Sequence, residues 1–178
     1  YLVARHAVDH FYTKFGFFGA SSYPQLIIKQ LEFADPTDII LKPHDANHHS
    51  NYLNFHHHAY LENLKVARYE ADYWQKSFKR LSYLGLSFEE IWDQNKLIGY
   101  VLLGKDYIDE IAFADGTKDK SILASLNKIQ NKFIENLTLR VPHQHQVVKS
   151  LTKCDVLFIS RQCLYGGHML RWNKLNPD

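Results

Sequence analysis

The stretch Leu86-Ser87-Phe88-Glu89-Glu90-Ile91-Trp92-Asp93-Gln94-Asn95-Lys96-Leu97-Ile98-Gly99-Tyr100-Val101-Leu102-Leu103 joins two different strand signatures through a turn. In its first half, Leu86, Phe88, Glu90 and Trp92 alternate with Ser87, Glu89 and Ile91, the period-two pattern of a strand with two distinct faces. Asp93-Gln94-Asn95-Lys96 is turn chemistry. The run from Leu97 to Leu103 is almost wholly apolar, as in a central strand buried on both faces. A further strand-like run goes from Tyr107 to Phe113. Strand, turn, strand, turn, strand reads as an antiparallel meander.

On the carboxyl side of the meander, Ile122, Leu123, Leu126, Ile129 and Phe133 recur at helical spacing. Leu137-Thr138-Leu139-Arg140-Val141 reads as a strand stopped by Pro142, and a short helix is predicted over 144–151. Val156-Leu157-Phe158-Ile159 and Met169-Leu170-Arg171-Trp172 read as two closing strands. On the amino side, Ile39-Ile40-Leu41 is a strand ended by Lys42-Pro43, and Asp45 is placed to cap the next helix. His49, Tyr52, Phe55 or His56, Ala59 and Tyr60 form one stripe of that helix. A second helix is predicted over 69–83, with Tyr73, Trp74, Phe78 and Leu81 inward. The polar segment 32–38 is the candidate boundary with what comes before it. There, Leu26-Ile27-Ile28 is a short strand and 19–24 a loop. Ala4, Ala7, Val8, Phe11 and Phe15 mark a helix stopped by Gly16.

Composition narrows the function classes. The 178 residues are 46% hydrophobic and 22% charged, which is ordinary globular usage. A net charge of +2, with basic residues scattered among acids, argues against nucleic acid or an anionic membrane as partner. No apolar run reaches the length that spans a bilayer. Cys154 and Cys163 lack CxxC spacing and read as reduced thiols of a cytoplasmic protein, a bridge between them being the alternative. The eleven histidines cluster as His48-His49, His56-His57-His58 and His143-x-His145. Three consecutive helical residues point in three directions and cannot chelate one metal, so the reading carries no metal site. The chain starts at Tyr1 without Met, and is expected to be a fragment of a longer protein.

Several segments carry a family resemblance. Phe11-Tyr12-Thr13-Lys14-Phe15-Gly16-Phe17 looks like the FY-x-K-x-GF motif that closes an acetyltransferase domain of the GNAT superfamily. Lys96-Leu97-Ile98-Gly99-Tyr100-Val101-Leu102 resembles the strand before the cofactor site of that family. Three further segments resemble the narrower tandem-GNAT group, which includes the Eis-like acetyltransferases. They are Asp109-Glu110-Ile111-Ala112-Phe113 with Leu123-x-x-Leu126, Leu137-x-Leu139-x-Val141-Pro142-x-x-His145, and Gly166-Gly167-His168-Met169-Leu170-Arg171. The resemblance implies an α/β (α+β) fold with a GNAT-like mixed, mostly antiparallel central sheet flanked by helices. It also implies two units: residues 1–32 as the carboxyl-terminal remnant of a first GNAT domain, and 38–178 as a second, degenerate one.

The same resemblance assigns roles. It makes Tyr12 the general acid for the leaving CoA thiolate, against the plain reading of a packing aromatic. It places Glu110 on the strand where some members keep a general base, against a structural carboxylate. Ser21, Ser22 and Tyr23 would border the acceptor pocket, and His145 would start a helix. Gly116, Thr117 and Lys118 fall in the cofactor loop, but 114–121 departs from Q/R-x-x-G-x-G/A. It has one glycine and two acids, Asp115 and Asp119, which repel a pyrophosphate at close range. Acetyl-CoA is therefore expected in a missing amino-terminal domain, with a small-molecule or peptide amine as acceptor and assembly of copies as in Eis-like relatives. The competing readings are a non-catalytic GNAT-like binding or scaffold module and, more remotely, a metal-dependent hydrolase using the histidines.

Overall fold

The computed structural model describes residues 2–5, 14, 17–29, 31, 37–60, 78, 81–133 and 136–171, with backbone alone for 2–5, 17–24 and 162–171. The strands are β1 (Leu2–Arg5), β2 (Phe17–Ile28), β3 (Ile39–Pro43), β4 (Ser87–Asp93), β5 (Lys96–Leu103), β6 (Ile108–Phe113), β7 (Leu137–Arg140) and β8 (Phe158–Arg171). The helices are α1 (His49–Tyr60), α2 (Asp119–Gln130) and α3 (Gln146–Lys153). The eight strands among the described residues form one sheet in the order β1-β8-β2-β7-β6-β5-β4-β3. The β6–β7 pair is parallel and the other pairs are antiparallel. The fold is thus the expected mixed, mostly antiparallel sheet flanked by helices. No helix among the described residues is long and apolar enough to cross a membrane.

Alternation sends the strand side chains to two cores. Ile91, Val101, Ile111, Phe113, Leu137 and Leu139 pack with α2 and α3. Phe88, Tyr100, Leu102 and Ala112 pack with Tyr52, Phe55, Ala59 and Tyr60 of α1. Asp45 accepts a hydrogen bond from the Asn47 amide and caps the short 3-10 turn Ala46–His48 that leads into α1. Phe78, the described member of the expected second helix before residue 81, stacks on His44 at 3.7 Å. Residues 69–77, 79 and 80 of that helix lie outside the described residues.

Three expectations are corrected. Residues 2–5 are strand, not helix, because the pairing Leu2↔Met169 to Arg5↔Tyr165 satisfies their backbone. Residues 19–24 are not a loop but part of the twelve-residue β2. The Gly-, Ser- and Pro-containing stretch is accommodated by register shifts at Gly19/Ser21 and Ser22/Pro24 against β8. The two closing strands are one strand, β8, whose fourteen residues carry Gly166 and Gly167 through by pairing with β1 and β2. Strand β2, which precedes the 32–38 segment in the chain, pairs with β7 and β8, which follow it.

Gly99 of β5 stands against the backbone and ring of β6. A Cβ there would stand 2.5 Å from the Ala112 carbonyl oxygen and 2.9 Å from the Phe113 ring. Backbone cannot yield as a side chain does. Gly99→Ala is expected to destabilise the protein by about 1–3 kcal/mol, read as a lower urea midpoint at unchanged slope.

Candidate functional site

Helix α1 lays Tyr52, His56 and Tyr60, four residues apart, along one line over the sheet. Each meets a polar group of β4 or β6. The Tyr52 hydroxyl donates to the Glu90 carboxylate. Glu90 also accepts from His48 Nδ1 at 2.7 Å, the Asp45 amide at 3.1 Å and Trp92 Nε1 at 2.8 Å. His56 Nδ1 donates to Glu110 at 3.1 Å, and the Tyr100 hydroxyl donates to the same oxygen. Both carboxylates are 2% exposed. Burial pushes the Glu90 carboxyl up, but the hydrogen bonds from Tyr52, His48 and Trp92 outweigh it and hold the group below its ordinary 4.5. Burial, reinforced by the bond to Glu90, pushes the Tyr52 phenol strongly up and keeps it a neutral donor.

Glu110 faces inward, and strand pairing decides which neighbours share its face. A register shift at Leu102/Leu103 pairs Leu103 with Ile108 and Leu102 with Glu110. Asp109 is left as the extra residue, so Glu110 shares its face with Ala112 while Ile108 joins the opposite core. Glu110 therefore lies beneath α1. Its described partners are a tyrosine and a histidine of the core.

Gly116, Thr117 and Lys118 stand on the other face. They line a cavity of about 500 Å³ with Lys96, Lys120, Asp38 and Asp93, among others. The loop is closed on its own groups. The Ala114 carbonyl accepts from Thr117 Oγ1 at 2.8 Å and from Gln146 Nε2 at 3.3 Å. Asp119, in the first turn of α2, accepts from Ser150 Oγ at 2.8 Å and Lys153 Nζ at 2.6 Å. These bonds, from Lys153 first and then Ser150, hold its carboxyl below the ordinary value and keep it charged. Asp93 accepts from Ser121 Oγ at 2.6 Å in the same turn. Three lysines, Lys96, Lys118 and Lys120, thus line the cavity with Asp38 and Asp93, while Asp119 turns to Ser150 and Lys153 of α3.

The crevice beyond the parallel strands is also occupied. In open sheets, ligands bind outside the carboxyl ends of parallel strands that diverge. Here β6 and β7 pair at Ile108↔Leu139, and Ile111 lies beyond that contact. The Ile111 carbonyl accepts from Tyr60 Oη at 2.9 Å and from His145 Nε2 at 3.0 Å. His145 is 1% exposed and lies 5.2 Å from the Tyr60 ring, centroid to centroid. Its Nδ1 accepts from the Val147 amide at 3.2 Å, which fixes the proton on Nε2 and makes His145 the cap of α3. The helix-start expectation for His145 holds. Its second role, filling the crevice, carries no sequence signal.

Of the remaining candidates, Tyr12 lies outside the described residues. Ser21 and Ser22 are in β2 opposite His168 and Gly167, and Tyr23 falls at a register shift in the same strand. Their side chains lie outside the described residues. Glu110 and the 116–118 loop are separated by the sheet, so the structure does not bring those two candidates into one site. His56 is buried against Glu110, whereas His58 is exposed 3.4 Å from Asp115. Cys154 is a free, exposed thiol.

No protein-family model matches the chain, and no curated protein does. Solved structures match throughout its length. A GCN5-related N-acetyltransferase from Anabaena variabilis aligns over 89% of this chain and 42% of its own, with a TM-score of 0.56 and 15% identity. One from Kribbella flavida aligns over 90% and 41%, with a TM-score of 0.54 and 9% identity. One from Sphaerobacter thermophilus aligns over 94% and 58%, with a TM-score of 0.50 and 11% identity. The chain has the GNAT fold. It spans about two fifths of the Anabaena and Kribbella chains. At these identities the likeness concerns the fold.

Two outcomes test the polar framework. Because the folded pKa of Glu90 lies below its ordinary value, its charge stabilises above that value and the contribution fades as pH falls through the folded pKa. Glu90→Gln is expected to lower stability at neutral pH by about 1–3 kcal/mol, with the gap to wild type narrowing in acid. Tyr60→Phe and His145→Ala each leave the Ile111 carbonyl one donor. The double variant is expected to lose about 1 kcal/mol more than the sum of the singles, measured by urea unfolding.

Proposed function

We propose that the chain is part of an N-acyltransferase in which residues 38–171 are the structural, acceptor-shaping unit and not the one that holds acetyl-CoA. The observation carrying this reading is the filled crevice at Ile111, closed by Tyr60 and His145 from the chain itself. The 114–121 loop, tied by hydrogen bonds to other groups of the chain, supports it, and the acyltransferase neighbours supply the chemistry class. In this reading acetyl-CoA is held by a unit preceding the described strands, an amine is the acceptor, and Tyr12 donates a proton to the leaving group. Strand β2 then ties the preceding unit to this sheet. Glu110 serves as a structural carboxylate under α1.

A non-catalytic scaffold is favoured by the same filled crevice, and one experiment separates the two. Calorimetry is run with acetyl-CoA on this 178-residue chain and on a longer protein that includes a preceding unit. No saturable binding by the 178 residues, and saturable binding by the longer protein, is the expected result. Silence from both leaves the scaffold reading. Saturable binding by the 178 residues that is lost on Gly116→Val would sink the assignment of a filled site.

A further inference from the structure

A second cavity, of about 720 Å³, lies at the opposite ends of the same strands. Its lining comes from the β5–β6 connection (Lys105, Asp106, Tyr107), the start of β7 (Asn136, Thr138, Arg140), β2 and β8. The acetyltransferase-like loop plays no part in it, and the inference stands apart from the acyl-transfer reading.

Strand register builds its floor. Gln25 of β2 is opposite Arg140 of β7 on one side and Arg161 of β8 on the other. The three side chains thus form a row across neighbouring strands, on the face that Leu26 and Leu139 do not use. At strand spacing the two arginines stand about 10 Å apart. Arg161 Nε donates to Gln25 Oε1 at 2.7 Å, which orients the guanidinium while its terminal nitrogens keep further donors. Arg140 lies 5.3 Å from the centre of the Tyr107 ring. That ring is held against the chain at Gly104, where a Cβ would come within 2.5 Å of it.

Among the described lining residues the charge is net positive. Lys105, Lys132, Arg140 and Arg161 line the cavity against Asp106, and Lys132 is paired with Glu89 at 2.6 Å. Burial, with Asp109 beside it, raises the Tyr107 phenol above its ordinary 10 although Arg140 opposes this, so the hydroxyl is a neutral donor at neutral pH. Thr138, Asn136 and Gln25 add uncharged hydrogen-bonding groups. Ile27 and Phe133 add apolar surface to the lining, Phe133 from the edge of the core that holds Leu26 and Leu139. The volume falls in the range of small-molecule sites.

We infer that this cleft binds a small phosphorylated organic molecule, its phosphate held by Arg140 and Arg161 and its apolar part lying on Ile27 and Phe133. Guanidinium forks match phosphate oxygens in pairs, and a net positive cleft raises the local concentration of anions. The apolar surface distinguishes an organic phosphate from the bare ion.

The test is titration of the full protein with phenyl phosphate and, separately, inorganic phosphate, at low salt, by calorimetry and amide chemical shifts. Saturable binding of phenyl phosphate, tighter than inorganic phosphate and shifting the amides of Tyr107 and Thr138, is expected. Arg161→Ala, at an exposed site, is expected to weaken it about tenfold or more. Lys149→Ala, on the exposed side of α3, is expected to leave it unchanged. Three outcomes overturn the proposal. One is no saturable binding at millimolar phenyl phosphate. Another is equal loss in the Lys149 variant. The third is binding only to phosphatidylcholine vesicles that carry phosphatidic acid, which would make the cleft a membrane contact.

Discussion

The Ile111 carbonyl is the point on which the two sides of this sheet depend. A parallel pair that separates after one contact leaves backbone groups without a ladder partner, and buried groups of that kind are costly. Here Tyr60 reaches the oxygen from α1 and His145 reaches it from the start of α3. Those helices belong to different cores. One acceptor therefore couples them through the sheet. The same pair of bonds closes the place where an open sheet of this kind would admit a ligand. Stability and the loss of a crevice are one physical arrangement.

Beneath α1 the chain buries two carboxylates in a mostly aromatic layer. Such burial is tolerable because every described contact to Glu90 is a donor, from backbone, phenol, imidazole or indole. Glu110 is met by Tyr100 and His56 in the same way. The polar line Tyr52-His56-Tyr60 sets both the position of α1 along the sheet and its rotation. An apolar stripe alone would permit sliding. This is where most of the histidine richness of residues 48–58 goes: His48 and His56 serve the sheet, and His49 packs 5.5 Å from Phe78.

The meander was legible because its pattern is local. The alternation of 86–92, the apolar run of 97–103 and the turn between them each follow from neighbouring residues, and β4, β5 and β6 appear within a residue or two of the expected bounds. The aromatic stripe of α1 and the Asp45 cap were legible for the same reason. The amino-terminal and closing strands were not. Gly19, Ser21, Ser22 and Pro24 disfavour strand locally, and only partners more than a hundred residues away, in β8, override that preference. The shift that turns Glu110 away from Ile108 is likewise a matter of pairing, and alternation counted along the sequence has no access to it.

Periodicity and turn chemistry by themselves determined the central meander and the main helix faces, while the fold class came from the family resemblance. Those properties depend on residues close together in the chain. Only the tertiary structure decided that β2 lies between β7 and β8, that His145 closes the crevice at Ile111, and that Gln25 aligns Arg140 with Arg161 across three strands. Each of these depends on register between distant segments. Register is set by burial and backbone pairing over the whole sheet, so no single stretch of sequence carries it.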